Sequence, residues 1–446
     1  MIGIIMFFAA LLMLIIGYPV AFTFGAVAIY FGLAASYIEI VLDGGTYLEW
    51  WEEFLSMFSM MPFRIYSIMT NKILMAVPLF IFMGIVLQKS QLAERLLLSM
   101  GTLFGKVRGG LAISTILIGA LLAASTGVVG ASVVAMGVIS LPIMLKNNYS
   151  KSLSAGVICA SGTLGQIIPP SIVLIILADV FQLPVGDLFK AALFPGLMLV
   201  GVYILYVLIV AFLKPEVAPP VKMDSNISYF ENLKRALIAI IPPLLLIILV
   251  LGSIFAGIAT PTESASLGAL GSIILAFFYK KLSWNLLKEA SLETVKTTSM
   301  VFAILVGATA FSMVFTYSGA DEIVEQFMTN LPGEKWGFLI LSMLIIMFLG
   351  FFIDFIEISY IVVPILLPIS QTIGIDPLWF AILIALNLQT SFLTPPFGFS
   401  LFYLKGVAPP ELKTTDIYKG VVPFILLQIL VLISIVIFPE FYGFKG

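Results

Sequence analysis

Two Pro-Pro pairs constrain this chain more than any other feature. Residues 162–171 read GTLGQIIPPS and residues 389–398 read QTSFLTPPFG. Each pair interrupts an apolar stretch of helical character, because proline has no N–H to donate and its ring clashes with the preceding turn. Pro395 lies 226 positions after Pro169, close to half of the 446-residue chain. Gly, Ser and Thr flank both breaks. Two interrupted apolar helices at corresponding places in two halves are the best sequence pointer to the binding site of a secondary transporter.

The environment of those breaks follows from composition. Hydrophobic residues make up 61% and charged residues 10%, and the mean hydropathy is +1.16. Soluble domains carry roughly 25% charged residues, so the chain reads as an all-α polytopic membrane protein. A net charge of −2 argues against a nucleic-acid partner. The chain has no histidine, which removes the commonest general base and metal ligand. Its single Cys159 lies in an apolar helix and excludes disulfides and thiol metal sites. An enzyme is therefore not expected. The opening run MIGIIMFFAALLMLIIGYPVAF lacks a basic segment and a small-residue cleavage signal, and reads as a retained membrane helix.

Apolar runs of membrane length fall at about 2–16, 19–36, 72–88, 153–180, 189–213, 236–255, 262–279, 298–317, 377–404 and 420–438. The first two are separated only by Gly17-Tyr18-Pro19, so one broken helix or two are both open. Two further stretches, 110–146 and 337–371, are too long for one span and carry small or polar residues at their centres. A helix, a polar tip and a returning helix make a re-entrant hairpin, tolerated at membrane depth only inside protein or beside a wet cavity. The spacing predicts two repeats: 1–213, with hairpin 110–146 and broken helix 153–180, and 236–446, with hairpin 337–371 and broken helix 377–404. Residues 214–235, the most polar and least periodic, form the linker. Amphipathic arms at 90–107 and 318–332 precede the hairpins. Five spans per repeat is odd, so the second repeat is inverted. With the N-terminus outside, loops 89–108, 146–152, 214–235, 280–297 and 405–419 hold 17 of the 22 basic residues, as the positive-inside rule requires.

Freed backbone groups at the breaks and tips can serve a ligand: half-helix N-termini face an anion, and freed carbonyls coordinate Na⁺. The candidate substrate groups are Ser125, Thr126, Gly127 and Ser132 at the first tip, Gly165, Pro169 and Pro170 at the first break, and Gln389, Thr394, Pro395 and Pro396 at the second. The candidate Na⁺ ligands are Ser125, Ser161, Gly162, Thr163, Asn387, Thr390, Ser391 and Gly398, with Asp354 and Glu357 in FFIDFIEISY of the second hairpin. Acidic side chains at membrane depth usually mark cation sites or proton relays; a helix N-cap is the competing reading for either. Thr260-Pro261-Thr262-Glu263 reads equally as the cap and first turn of a helix and as a cation site. Trp50 and Trp51 among Glu49, Glu52 and Glu53 read as an interfacial helix or a partner-docking segment.

The stretches AASTGVVGASVVAMGVISLPIML (123–145), CASGTLGQIIPPSIVLI (159–175), ATPTESASLGALGS (259–272) and LTPPFGFSLF (393–402) resemble the large membrane subunit of the tripartite ATP-independent periplasmic (TRAP) transporters. The resemblance covers essentially the whole chain. It implies a bacterial or archaeal inner-membrane protein whose scaffold flanks a mobile transport domain. Such a protein imports an organic acid with Na⁺ by an elevator motion. It also implies two partners, a small four-helix membrane subunit and a periplasmic substrate-binding protein. The tip Ser-Thr-Gly replaces the Ser-Gly-Ser of many members, and the chain looks like the branch linked to keto-acid, lactate or chloroaromatic-acid systems; C4-dicarboxylates are the other substrate class implied. No G-x-x-x-x-G-K-[ST] motif is present, which favours ion coupling over ATP. A stand-alone transporter or antiporter of the same architecture is the alternative.

Overall fold

The computed structural model describes residues 1–90, 96, 99–100, 103–104, 107–220 and 229–444. Among these residues there is no strand. In chain order the helices are α1 (Ile2–Ile16), α2 (Val20–Ile40), α3 (Tyr47–Phe58), α4 (Met61–Thr70), α5 (Ala76–Lys89), α6 (Gly110–Thr126), α7 (Val129–Lys146), α8 (Lys151–Thr163), α9 (Ile172–Val180), α10 (Val185–Leu213), α11 (Tyr229–Phe255), α12 (Pro261–Phe278), α13 (Trp284–Tyr317), α14 (Ala320–Thr329), α15 (Lys335–Leu349), α16 (Val363–Thr372), α17 (Pro377–Leu393), α18 (Phe399–Val407) and α19 (Thr414–Ile437). Eight helical segments among the described residues are long and apolar enough to cross a membrane. The halves of the two broken helices are not among them, because each is cut short by its break. Most of the arm expected at 90–107 and the centre of the linker, 221–228, lie outside the described residues.

Local chemistry sets the helix ends. Gly17, at φ 102°, closes α1, and the N–H groups of Gly17 and Tyr18 return to the carbonyls of Leu14 and Met13. This left-handed residue is one a glycine adopts without strain. Pro19 then opens α2, so residues 1–36 form two helices. Thr260 and Glu263 form a reciprocal capping box at the start of α12: the Glu263 N–H donates to Thr260 Oγ1 (3.3 Å) and the Thr260 N–H to Glu263 Oε2 (2.8 Å). The competing cap reading of that motif is the one seen. Trp50 on α3 donates its indole N–H to the Leu33 carbonyl of α2 (3.0 Å) and stacks edge-on with Tyr37, while Trp51 stays exposed.

Residues 280–297 read as a loop in the sequence, yet α13 runs unbroken for 34 residues. Its polar residues lie on one side of a helix. Lys89 pairs with Glu289 (3.0 Å) and Glu293 (2.9 Å), while Leu286 and Ala290 are buried against Val86 and Ala276. Charge density alone does not separate such an amphipathic helix from a loop.

The chain divides into two compact units. One comprises Met1–Leu74 and Lys296–Pro377; the other comprises Met75–Val295 and Leu378–Gly446. Each unit draws on both halves of the sequence. The first unit holds the α1–α2 pair, α3 and α4, the α14 arm and the second hairpin, α15 to α16. In it Phe311 packs edge-on to Phe24 (5.2 Å), and a Cβ on Gly307 would meet the Ala21 carbonyl. The second unit holds the first hairpin and both broken helices. Its hairpin is closed at the base by the Leu111 N–H donating to Tyr149 Oη (3.2 Å), and it turns at Gly127-Val128.

Small residues set the closest approaches of the second unit. A Cβ added to Gly156 of α8 would collide with the Gly420 carbonyl of α19, and one on Gly420 with the Ser152 carbonyl. Such contacts let membrane helices gain dispersion and polar contact between backbones. Gly201 of α10, by contrast, has open space around it. Gly156→Val is expected to destabilise by about 1–3 kcal/mol through overpacking, whereas Gly201→Ala is neutral or stabilising by up to about 1 kcal/mol. Thermal unfolding of the detergent-purified variants checks the contrast; equal midpoints would refute the close-packing account.

Candidate functional site

The first break begins where α8 tightens into a single 3₁₀ turn, Leu164–Gln166, before Ile167–Ser171 and the start of α9. Every residue from 161 to 171 is buried. Backbone groups freed at such depth need partners inside the protein. Ser171 supplies two: its Oγ donates back to the Gln166 carbonyl (2.8 Å) and accepts from the Leu174 N–H (3.5 Å) as the N-cap of α9. Ser161 and Thr163 donate their hydroxyls to the carbonyls of Ile158 (3.1 Å) and Ala160 (2.9 Å). A hydroxyl used this way keeps its lone pairs for another donor or a cation.

The second break repeats the plan. α17 ends at Leu393, Thr394–Gly398 is irregular, and α18 starts at Phe399. Thr390, Ser391 and Thr394 donate to the carbonyls of Leu386 (2.9 Å), Leu388 (2.8 Å) and Thr390 (2.7 Å). Ser400 reaches back across the break to the Phe392 carbonyl (2.8 Å), as Ser171 does across the first. Gly398 admits the crossing, since a Cβ there would sit 2.7 Å from that same carbonyl oxygen. Both Pro-Pro peptides are cis. The breaks differ in exposure: the first is enclosed, whereas Pro396 and Phe397 reach the surface, where Tyr418 Oη donates to the Pro396 carbonyl (3.0 Å).

The first hairpin tip lies against these breaks. Gly127 takes a left-handed conformation (φ 61°), and a Cβ there would meet Ile172 at the head of α9, 3.4 Å from its nitrogen. A Cβ on Gly165 would sit 3.0 Å from the Ala123 carbonyl oxygen of α6, and one on Gly162 would overlap Val133 of α7. Gly130 faces the Tyr403 ring of α18, and Cys159 of α8 lies 3.7 Å from the Ser400 carbonyl. Ser132 is buried and donates to the Val128 carbonyl (3.2 Å). The side chains of Ser125 and Thr126 lie outside the described residues. Gly127, Ser132, Ser161, Gly162, Thr163, Gly165, Pro169 and Pro170 are thus assembled in one unit with Asn387, Gln389, Thr390, Ser391, Thr394, Pro395, Pro396 and Gly398.

Asp354 and Glu357 belong to the other unit. Asp354 caps a single helical turn, Phe355–Glu357, its Oδ1 accepting from the Phe355 N–H (2.7 Å). A π-helical segment, Ile358–Val362, follows. Glu357 is 1% exposed, and its Oε2 has no hydrogen-bond partner; neither has the buried Ser359 hydroxyl.

Sequence reasoning missed five residues, Ser171, Ser400, Tyr203, Gln428 and Gln166. Ser171 and Ser400 act as staples. Gln428 of α19 donates to Tyr203 Oη of α10 (2.7 Å) and lies 3.5 Å from Thr163 Oγ1, and Gln389 stands beside the same Tyr203 hydroxyl. Single polar residues in long apolar helices carry no periodic signal; their depth in the span was the available clue. Gln166 was also passed over. It is fully buried, and neither atom of its amide has a partner.

A protein-family model described as "Tripartite ATP-independent periplasmic transporter, DctM component" matches residues 5–441. The chain belongs to that family. It is therefore a multi-pass membrane permease component and not an enzyme. The C4-dicarboxylate TRAP transporter large permease protein DctM of Pseudomonas aeruginosa is 32% identical over 367 residues, covering 82% of this chain and 84% of that one. The isethionate TRAP transporter permease protein DctMQ of Oleidesulfovibrio alaskensis is 33% identical, covering 81% of this chain and 56% of its own length. The sialic acid TRAP transporter large permease protein SiaM of Vibrio cholerae is 28% identical, covering 83% and 85%. Among solved structures, the Alcanivorax borkumensis YdaH transporter superposes with a TM-score of 0.60 at 13% identity, over 88% of this chain and 90% of that one, a likeness of fold.

Replacing Pro169-Pro170 or Pro395-Pro396 by Ala-Ala favours a continuous helix and hides the freed groups. Both variants are expected to insert normally and to lose transport by about 100-fold or more. Near-normal uptake would reduce the breaks to simple kinks.

Proposed function

We propose that the chain is the sodium-coupled large permease of a TRAP system that imports an organic acid delivered by a periplasmic binding protein. The observation that carries this reading is the convergence, within one compact unit, of two hydroxyl-lined helix breaks and one hairpin tip whose own residues include no Lys or Arg. Such a site supplies oxygen ligands to a hard cation and N–H groups to a carboxylate. A bound Na⁺ then provides the positive charge that the side chains do not. Ser161, Gly162, Thr163, Asn387, Thr390, Ser391 and Gly398 would hold Na⁺, and the head of α9 with Gly127, Ser132, Gly165 and Gln389 would hold the carboxylate. The relatives named for C4-dicarboxylate, isethionate and sialic acid support an organic anion as the cargo class. The name of the DctMQ relative, of which this chain covers 56%, supports a small membrane subunit as partner.

The reading includes an inverted repeat with re-entrant hairpins, an N-terminus on the periplasmic side of the inner membrane, and an elevator step that carries the site across the bilayer. A rigid step avoids exposing freed peptide groups to lipid, which costs several kcal/mol per group. In a Cys159→Ser background with one cysteine introduced at Ser132, substrate and Na⁺ are expected to shift labelling by an impermeant thiol reagent from one face to the other. One-sided labelling under every condition would exclude the step.

The deciding experiment is uptake of labelled organic acids into proteoliposomes containing the membrane subunits, with and without the binding protein. Uptake is expected to need an inward Na⁺ gradient and the binding protein. Equal uptake on a proton gradient in Na⁺-free buffer would overturn the coupling, and full-rate uptake of free substrate would overturn the tripartite requirement.

A further inference from the structure

A second binding place lies in the same unit at the opposite end of α8 from its break. A cavity of about 370 Å³ opens between the start of α8, the end of α10 and the start of α19. Its polar wall is Ser150, Ser152, Lys214 and Lys419, and its apolar wall includes Tyr206, Val210 and Leu213. We propose that this cavity binds the phosphate headgroup of an anionic phospholipid, with the acyl chains lying along α10.

Three positive features line the cavity, and no carboxylate does. The start of α8 is the first: its N-cap Ser150 makes no side-chain cap hydrogen bond, so the positive end of the helix is open to a ligand. Lys214 is the second; among the described residues it has no ion pair. Lys419 is the third, and its position is informative. It sits in the second turn of α19, near the helix's positive end, where a cation is disfavoured. The acid one turn before it, Asp416, accepts from the Lys413 N–H (3.1 Å) as part of that helix's cap. Lys419 has no ion pair among the described residues either. A cation held against a helix's positive end and beside another cation is stabilised by an anion between them.

The lower wall selects a lipid over a free anion. Tyr206 is held edge-on to Phe424 (5.1 Å) and offers an amphipathic face at headgroup level. Beyond it the outward face of α10 is a run of exposed apolar residues, Leu205, Ile209, Phe212 and Leu213. Basic pockets between membrane helices on the cytoplasmic side are places where anionic lipid headgroups bind. The loops 146–152 and 214–235 and the 405–419 segment are the ones assigned to that side in the orientation proposed above.

The test uses the purified membrane complex exchanged into neutral detergent, with phosphatidylglycerol or phosphatidylcholine added in mixed micelles. Bound lipid is read by native mass spectrometry and by the shift in unfolding temperature. Phosphatidylglycerol is expected to be retained and to raise the unfolding temperature, and phosphatidylcholine to do neither. The Lys214→Gln/Lys419→Gln double variant is expected to weaken phosphatidylglycerol retention about tenfold or more. Lys280→Gln/Lys281→Gln, at another basic turn, is expected to leave it unchanged. Ser152→Glu, which puts a carboxylate in the cavity, should act like the double variant and serves if that protein does not assemble. Equal retention by wild type and both cavity variants would overturn the proposal, as would equal retention of the two lipids. Full competition by soluble glycerol 1-phosphate would make it a site for a free phosphate and overturn the lipid. None of these readouts depends on Na⁺ or on the transported acid, so a failure here leaves the transport reading standing, and the reverse.

Discussion

The structure depends on one constraint: a helix interrupted at membrane depth must satisfy its own peptide groups. Each unmet group costs several kcal/mol in hydrocarbon, comparable to a large part of a domain's net stability. The chain meets the constraint with short polar side chains that turn back on the backbone. Ser171 and Ser400 each cross a break to a carbonyl on its far side, both at 2.8 Å. The remaining requirement is proximity, which explains the glycines. Gly165 lies under the Ala123 carbonyl, Gly398 under that of Phe392, and Gly127 beside the Ile172 nitrogen. Any side chain at these points would part the segments that shield the break.

Much of this was legible in the sequence because proline acts by subtraction. Pro169-Pro170 and Pro395-Pro396 announce lost donors wherever they occur, and the flanking Ser, Thr and Gly announce the repair. Gly17 before Pro19 and Thr260 before Pro261 were legible only in part: the residues marked a possible helix end, but the choice between one helix and two, and between a cap and a cation site, was made by the structure. What was not legible depends on tertiary contact. The charged stretch 280–297 looked like a loop until Lys89 and α5 were seen against it. Tyr203 and Gln428 are lone polar residues in apolar helices, and nothing local distinguishes them from residues facing a wet surface. Gln166 stood inside the quoted motif GTLGQIIPPS but was overshadowed by its neighbours, although an amide there has fewer nearby partners than a hydroxyl, which can always return to its own helix.

The two helical hairpins differ in chemistry. The first tip turns on Gly127 with neutral side chains around it, and it packs within the unit that holds both breaks. The second stretch carries two acids. Asp354 is committed to capping the turn that follows it, which accounts for one carboxylate by structure alone. Glu357 is left with an unmet oxygen beside a π-helical segment and an unpartnered Ser359. A single-turn π segment costs regular hydrogen bonding and is found mostly at functional positions. Of the two acids, Asp354 is engaged with the backbone, whereas Glu357 keeps a buried oxygen with no hydrogen-bond partner.

A buried polar cluster in the second unit joins groups from α8, α10, α17 and α19. Thr163 and Gln389 each stand six residues before the first proline of their own break. Gln428 and Tyr203 come from α19 and α10, the helices that follow the two breaks, and they close the gap between those two positions. Polar side chains at this depth exchange partners only at high cost, because no water competes for them. The Gln428 contacts link Thr163 of the first broken helix to Tyr203 at points away from the break, and Gln389 of the second broken helix stands beside the same Tyr203 hydroxyl. Gln428 and Tyr203 stand behind Thr163 and Gln389, two of the groups proposed to hold the ligands, and neither is itself among those proposed ligands.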